Sequence, residues 1–204
     1  MSRTTRETAT GKIARVRARQ DATLALLRHL RDVPCADCCG RFAPHQMDFD
    51  HRDGRDKSFD LMTGGAMLAT RGRLMAEVAK CDIVCANCHR IRTRITHRRR
   101  LSERVPSGTS KDIIKRRARW RMHGRLLDSL RDVPCGDCGG RFPPCSMDFD
   151  HRDPATKVAA VTRLVGRAGP DRILAEAEKC DIVCANCHRA RTVNRRLLPA
   201  PERE

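Results

Sequence analysis

The 204-residue chain has no tyrosine, a single tryptophan, Trp120, and five phenylalanines, so its aromatic content is only 3%. A chain this poor in aromatics cannot build a large core in either half, and some other staple has to hold the fold. No apolar run approaches the roughly 20 residues that cross a bilayer, and the segment from Met1 to Glu7 lacks the apolar core of a signal peptide. These absences argue against a membrane protein and put the chain in the reducing cytoplasm, where thiolates persist. Acidic residues are also short: 25 Asp and Glu stand against 42 Lys and Arg, a net charge of +17. Clustered cations gain free energy by displacing counterions from phosphates, so nucleic acid is the expected partner. A membrane surface is not, because the basic helices carry no large aromatic residues on an opposite face.

Cysteine, by contrast, is abundant. Twelve fall in two sets of six, and each set holds two Cys-x-x-Cys pairs separated by a long insert, a spacing that reads as metal binding rather than as a disulfide framework. Cys35, Cys38, Cys85 and Cys88 form one four-sulfur set; Cys135, Cys138, Cys184 and Cys187 form the other. Each suits a closed tetrahedral zinc site whose binding free energy contributes to folding, so two structural Zn2+ ions are expected. Cys81 and Cys180 read as alternates or, more simply, as buried thiols. Cys39 and Cys145 have no counterpart in the other set and are not needed as ligands.

The sets recur because the chain is duplicated. Arg31 to Asp53 and Arg131 to Asp153 share 18 identities in 23 positions at an offset of 100, and Lys80 to Arg90 recurs unchanged as Lys179 to Arg189 at an offset of 99. The expected organisation is a first zinc domain over 11–96, a basic linker over 97–110 with three successive arginines, and a second zinc domain over 111–198. The tail from Pro199 reads as disordered.

Each repeat opens on a basic helix, Lys12 to Arg31 and Lys111 to Arg131. Leu24, Leu27 and Leu30 in the first, and Trp120, Leu127 and Leu130 in the second, are expected to face a core. After the first cysteine pair, Gly40 and Gly140 are expected to take a positive φ in a zinc knuckle. Met47-Asp48-Phe49-Asp50-His51, repeated at Met147 to His151, alternates as a short strand. A helix around Leu74, Met75 and Val78, and its counterpart started by Pro170, then precede a second strand at Asp82 to Val84 or Asp181 to Val183. A helix from Ala86 or Ala185 follows, and the fold class is α+β.

A zinc knuckle requires neither Asp50-His51 nor His89. A strand ending in Asp-His, clipped by zinc against a helix that opens Cys-His, brings a carboxylate and two imidazoles together. Asp50 and His89 then suit one hard divalent ion, and His51 is left to deprotonate a water. Spare zinc ligands or helix caps are the plainer alternative for these histidines.

On Cys35, Cys38, Asp50, His51, Cys85, Cys88 and His89, and on Cys135, Cys138, Asp150, His151, Cys184, Cys187 and His188, the chain resembles the HNH endonucleases of the ββα-metal, treble-clef-like type with zinc-binding Cys-x-x-Cys pairs. The resemblance covers about 60 residues of each repeat. It implies Mg2+ or another divalent ion on Asp50 and His89 and on Asp150 and His188, general bases at His51 and His151, and phosphodiester hydrolysis in double-stranded DNA. Arg90, Arg92, Arg94, Arg189 and Arg191, along the second-pair helices, are the expected nucleic-acid contacts. The family's middle Asn is replaced by Lys80 and Lys179, with Asp82, Asn87, Asp181 and Asn186 as nearby polar residues. Two functions follow from this reading: a metal-dependent DNA endonuclease with two tandem sites, or a non-catalytic bivalent zinc protein that binds nucleic acid.

Overall fold

The computed structural model describes residues 9–62, 64–102 and 110–197. The chain divides into two compact units, the first ending at Cys85 and the second beginning at Ala86. Both mix helices with a single two-stranded sheet, an α+β arrangement. Residues 103–109 of the expected linker, and the expected tail, lie outside the described residues.

In the first unit, α1 (Ala9–Leu30) leads to a 3-10 turn at Pro44–Gln46 and to β1 (Met47–His51). Two short helices follow, α2 (Gly64–Leu68) and α3 (Arg71–Val78), and then β2 (Cys81–Cys85). The strands pair antiparallel, with Met47 opposite Cys85 and His51 opposite Cys81. The helices are therefore carried in the connection between paired strands. Leu27, Phe49, Leu61, Ala66, Leu74 and Cys81 form the core, with Leu26 and Leu30 packed against it. Leu24 is half-exposed instead of facing that core. Each step of three residues turns a helix by about 300°, so a stripe at Leu24, Leu27 and Leu30 drifts off one face, and Leu26 fills the place. Arg31 crosses from α1 to the sheet, donating to the Met47 carbonyl at 3.2 Å and lying over the Phe49 ring.

The second unit begins with α4 (Ala86–Ser102), which starts directly after β2. The linker expected from residue 97 thus opens as helix, since nothing between 97 and 102 is a Pro or Gly and the first proline there is Pro106. Then come α5 (Lys111–Leu130), a 3-10 turn at Pro144–Ser146, β3 (Met147–His151), α6 (Val161–Leu164), α7 (Pro170–Ala177), β4 (Cys180–Cys184) and α8 (Ala185–Leu197). Strands β3 and β4 repeat the earlier register, Met147 opposite Cys184 and His151 opposite Cys180. Leu127, Val161, Leu164, Val165, Ile173, Ala177 and Cys180 make the core. Pro170 starts α7 as its fixed φ predicts.

Trp120, expected in this core, is half-exposed. Its indole lies against the backbone of Gly166, where a Cβ would meet Nε1 at 2.2 Å and φ is +74°. Besides Leu127, α5 buries His123, which accepts the Gly166 N–H on Nδ1 at 3.0 Å. Helix α4 is tied into the same unit: Ser146 Oγ donates to the Asn87 carbonyl at 3.0 Å, Arg90 pairs with Asp148 at 2.6 Å, and Arg94 pairs with Asp128 at 3.2 Å.

Candidate functional site

The eight cysteines of the two expected sets converge. In each set of four the sulfurs all lie within 4.8 Å of one another. Zinc–sulfur bonds of about 2.3 Å in a tetrahedron put sulfurs roughly 3.8 Å apart, so the donor set fits Zn2+. The local reason is the turn after each first pair. Cys35 N–H donates to the Gly40 carbonyl at 2.9 Å, and the Cys85 N–H points at Cys35 Sγ at 3.2 Å. Burial works against the Cys35 and Cys135 thiolates, but converging backbone N–H groups outweigh it and bring both thiols from 9.0 down to about 7. Cys187 is pushed up, by burial first and then by its neighbour Cys184, which is the repulsion that a bound Zn2+ removes.

The knuckle differs from expectation in one detail. The positive φ falls one residue earlier, at Cys39 (58°) and Gly139 (67°). Gly40 and Gly140 are required for space instead, since a Cβ there would stand 2.7 and 2.8 Å from the Phe42 and Phe142 rings. Cys81 and Cys180 are buried thiols in the cores, and burial raises both to about 11.

The candidate bases are not isolated. His51 Nε2 meets Glu77 Oε1 at 2.8 Å, and His151 Nε2 meets Glu176 Oε1 at 2.9 Å. Glu77 also accepts the Ser58 N–H at 2.7 Å and, on its other oxygen, Lys80 Nζ at 2.7 Å. Glu176 accepts the Val158 and Ala159 N–H groups at 2.8 and 3.1 Å and Lys179 Nζ at 2.8 Å. Burial would raise Glu176, yet Lys179, the backbone donors and His151 hold it down to about 2; Glu77 lies lower still for the same reasons. Glu77 and Glu176 were not foreseen from the sequence. Lys80 and Lys179 are the residues that clamp these carboxylates. Asn87 and Asn186 do something else: each side-chain oxygen accepts the other's backbone N–H, at 3.2 and 3.3 Å, joining the first turns of α4 and α8.

Within the second unit the strand end and the helix start meet. Asp148, Asp150, His151, His188 and Arg195 line one cleft of about 290 Å³. His188 Nδ1 bonds Asp148 Oδ2 at 2.8 Å, and its Nε2 lies 3.5 Å from Asp150 Oδ1. The His188 ring thus stands between two carboxylates. Burial works to raise Asp148, but His188 and Arg90 bring it to about 2. The cations present are guanidinium groups. Arg195 forks both oxygens of Asp150 at 2.8 Å, and Arg191 adds a contact at 3.0 Å. As arranged, Asp150 and His188 do not fit a divalent ion, because both carboxylate oxygens are already taken by positive donors.

Arg191 is also committed elsewhere. It pairs with Asp137 at 2.5 Å and Asp181 at 2.8 Å, so this expected DNA contact is an internal clamp. Arg90 and Arg94 hold Asp148 and Asp128 while remaining partly exposed. Arg92 and Arg189 interact with neighbours as well.

Against known proteins, the chain matches no family model, no curated protein and no solved structure. Among the described residues no helix is long and apolar enough to cross a membrane.

Proposed function

We propose that the chain is a zinc-stapled, metal-dependent endonuclease of the HNH, ββα-metal type that hydrolyses phosphodiester bonds in double-stranded DNA. The observation that supports it best recurs in both repeats: the histidine that closes a strand-end Asp-His is held by a buried glutamate, His51 by Glu77 at 2.8 Å and His151 by Glu176 at 2.9 Å. The first repeat carries the same residue types at Asp48, Asp50, His51, Glu77, Lys80 and His89. Asp50 and His89 would hold a divalent ion, which supplies charge stabilisation at the scissile phosphate and acidifies a bound water.

The chain's own residues do the rest. Glu77 is ionised and clamped by Lys80, so the proton of His51 sits on Nε2. The Nδ1 lone pair is then the one that takes a proton from the attacking water. Exposed cations along α5, from Lys111 to Arg125, supply phosphate contacts that carry no sequence information.

The test is supercoiled plasmid incubated with the zinc-loaded chain and Mg2+ or Mn2+. Relaxation that needs the added ion and is lost in His51→Ala supports the reading. A chain that binds DNA with a steep salt dependence but never cuts it, with either ion, would instead be the non-catalytic zinc-containing binder.

A further inference from the structure

The two repeats differ on the helix that opens them. At the offset of 100, which aligns Leu26, Leu27 and Leu30 with Leu126, Leu127 and Leu130, Trp120 stands where the first repeat has Gln20 and Gly124 where it has Leu24. This tryptophan, the only one in the chain, is 50% exposed. It is also pinned. The pyrrole ring of its indole lies against the backbone of Gly166, where φ is +74° and a Cβ would stand 2.2 Å from Nε1. His123, further along α5, accepts the Gly166 N–H at 3.0 Å and fixes that backbone in place. The indole is therefore a rigid platform, part of it seated on the protein and part in water.

The surroundings of the exposed part are cationic. At about 100° per residue, Arg116 and Arg117 lie one turn before Trp120 and within about 60° of it around the helix, with Arg121 at about 100°. All three are exposed, and among the described residues none of them holds a carboxylate. The arginines of α4 and α8 differ, since Arg90, Arg94, Arg191 and Arg195 are paired with aspartates. Gly124, one turn after Trp120, leaves open space, because a Cβ there would meet nothing within 4 Å.

A flat ring that stacks on an indole already fixed in place has no side chain to order, and guanidinium groups beside it meet phosphate. A base inside a duplex has both faces stacked on its neighbours. Only an unpaired base offers a free face to Trp120.

We propose that the face of α5 around Trp120 binds single-stranded DNA, with the indole stacking on one unpaired base and Arg116, Arg117 and Arg121 contacting the flanking phosphates. The single strand follows from the geometry, while DNA in place of RNA rests on the endonuclease reading.

Trp120 is the only tryptophan and the chain has no tyrosine, so its emission reports this site alone. The full, zinc-loaded chain, without added divalent ion, is titrated with one mixed sequence as single-stranded DNA, as duplex DNA and as RNA, and with anionic phospholipid vesicles. Single-stranded DNA is expected to quench the emission, and the duplex to bind through its phosphates and leave the emission unchanged. Trp120→Gln, which copies Gln20, is expected to weaken single-strand binding by about tenfold, the loss of one stacked base, and to leave duplex binding unchanged. Trp120→Phe, which keeps a stacking ring, is expected to recover part of that loss. Gly124→Leu, which copies Leu24 and enters open space, is expected to fold and to block the quench.

Absence of quenching by single-stranded DNA, equal quenching by the duplex, or tighter binding of RNA or of the vesicles would overturn the proposal. So would a folded Trp120→Gln with wild-type single-strand affinity or, should that variant not fold, a Gly124→Leu quenched like wild type. Plasmid relaxation on the same preparations separates the proposal from the endonuclease reading. A chain that is quenched as stated and never cuts loses that reading alone, whereas a chain that cuts with no quench keeps it and loses the site on α5.

Discussion

His51 and Glu77 meet at 2.8 Å through Nε2 and Oε1, and the same bond recurs between His151 and Glu176 at 2.9 Å. Each glutamate also receives backbone N–H groups from the connection that follows the first strand, and a lysine three residues further on. One carboxylate therefore ties a strand, a loop and a helix together. Removing the charge of a buried, multiply bonded carboxylate costs on the order of 3 kcal/mol. Glu77→Gln and Glu176→Gln are expected to lower the unfolding free energy by that much, read as a lower urea midpoint. Gln that left the midpoint unmoved would show the network to be dispensable.

The same groups set an acid limit. Their folded-state pKa values are depressed from 4.5, to about 2 for Glu176. Their stabilisation is therefore complete above about pH 4.5 and is lost as pH falls towards 2. Asp148, held at about 2 from 3.8 by His188 and Arg90 against burial, acts in the same direction. Unfolding free energy measured from pH 6 to pH 2 should drop over this window, and less steeply in Glu176→Gln.

Zinc should behave as part of the core. Elemental analysis is expected to give two zinc ions per folded chain, with one left in Cys135→Ser and two retained in Cys39→Ser. Structural zinc contributes about 10–16 kcal/mol of apparent binding free energy in small metal-dependent domains. A strong chelator should therefore abolish cooperative unfolding. A chain that stays folded without metal would mean that the small apolar cores suffice.

The knuckle allows a test in both directions. Gly40→Ala and Gly140→Ala put a methyl 2.7 and 2.8 Å from a phenylalanine ring carbon, and overpacking of this kind costs about 1–3 kcal/mol. Cys39, with φ of 58°, holds the strained conformation that its counterpart Gly139 adopts freely. Cys39→Gly should raise stability by about 1 kcal/mol, read as a higher thermal midpoint at constant zinc content.

Much of this architecture was legible because it is local or metal-directed. The cysteine spacing identified both sulfur clusters, and the Met-x-Phe alternation located the first strand of each pair. Glu77 was missed although Glu-x-x-Lys-Cys occurs in both repeats, because a helix-face glutamate ordinarily points to solvent. The fork of Arg195 on Asp150 joins residues 45 positions apart, so only the folded chain reveals it. Trp120 was placed inside by its helical phase, yet the bulk of an indole found room only over the bare backbone of Gly166. His123, smaller and polar, took the buried place by accepting that glycine's N–H.

The reciprocal pair formed by Asn87 and Asn186 accounts for the helix that completes the first repeat being held within the second unit. Each asparagine sits in the first turn of its helix, where backbone N–H groups have no partner of their own, and each side-chain oxygen accepts the N–H of the other residue. Both residues are buried, at 3% and 4% exposure, so water does not replace a lost acceptor freely. Either Asn→Ala change strands one buried N–H and should cost about 1–3 kcal/mol. Once the first bond is gone the two helix starts are free to part and hydrate, so the second loss should cost less. Urea unfolding of Asn87→Ala, Asn186→Ala and the double variant is therefore expected to be subadditive, with a coupling of at least about 0.5 kcal/mol. Strict additivity would mean that the two asparagines do not act as a unit in holding α4.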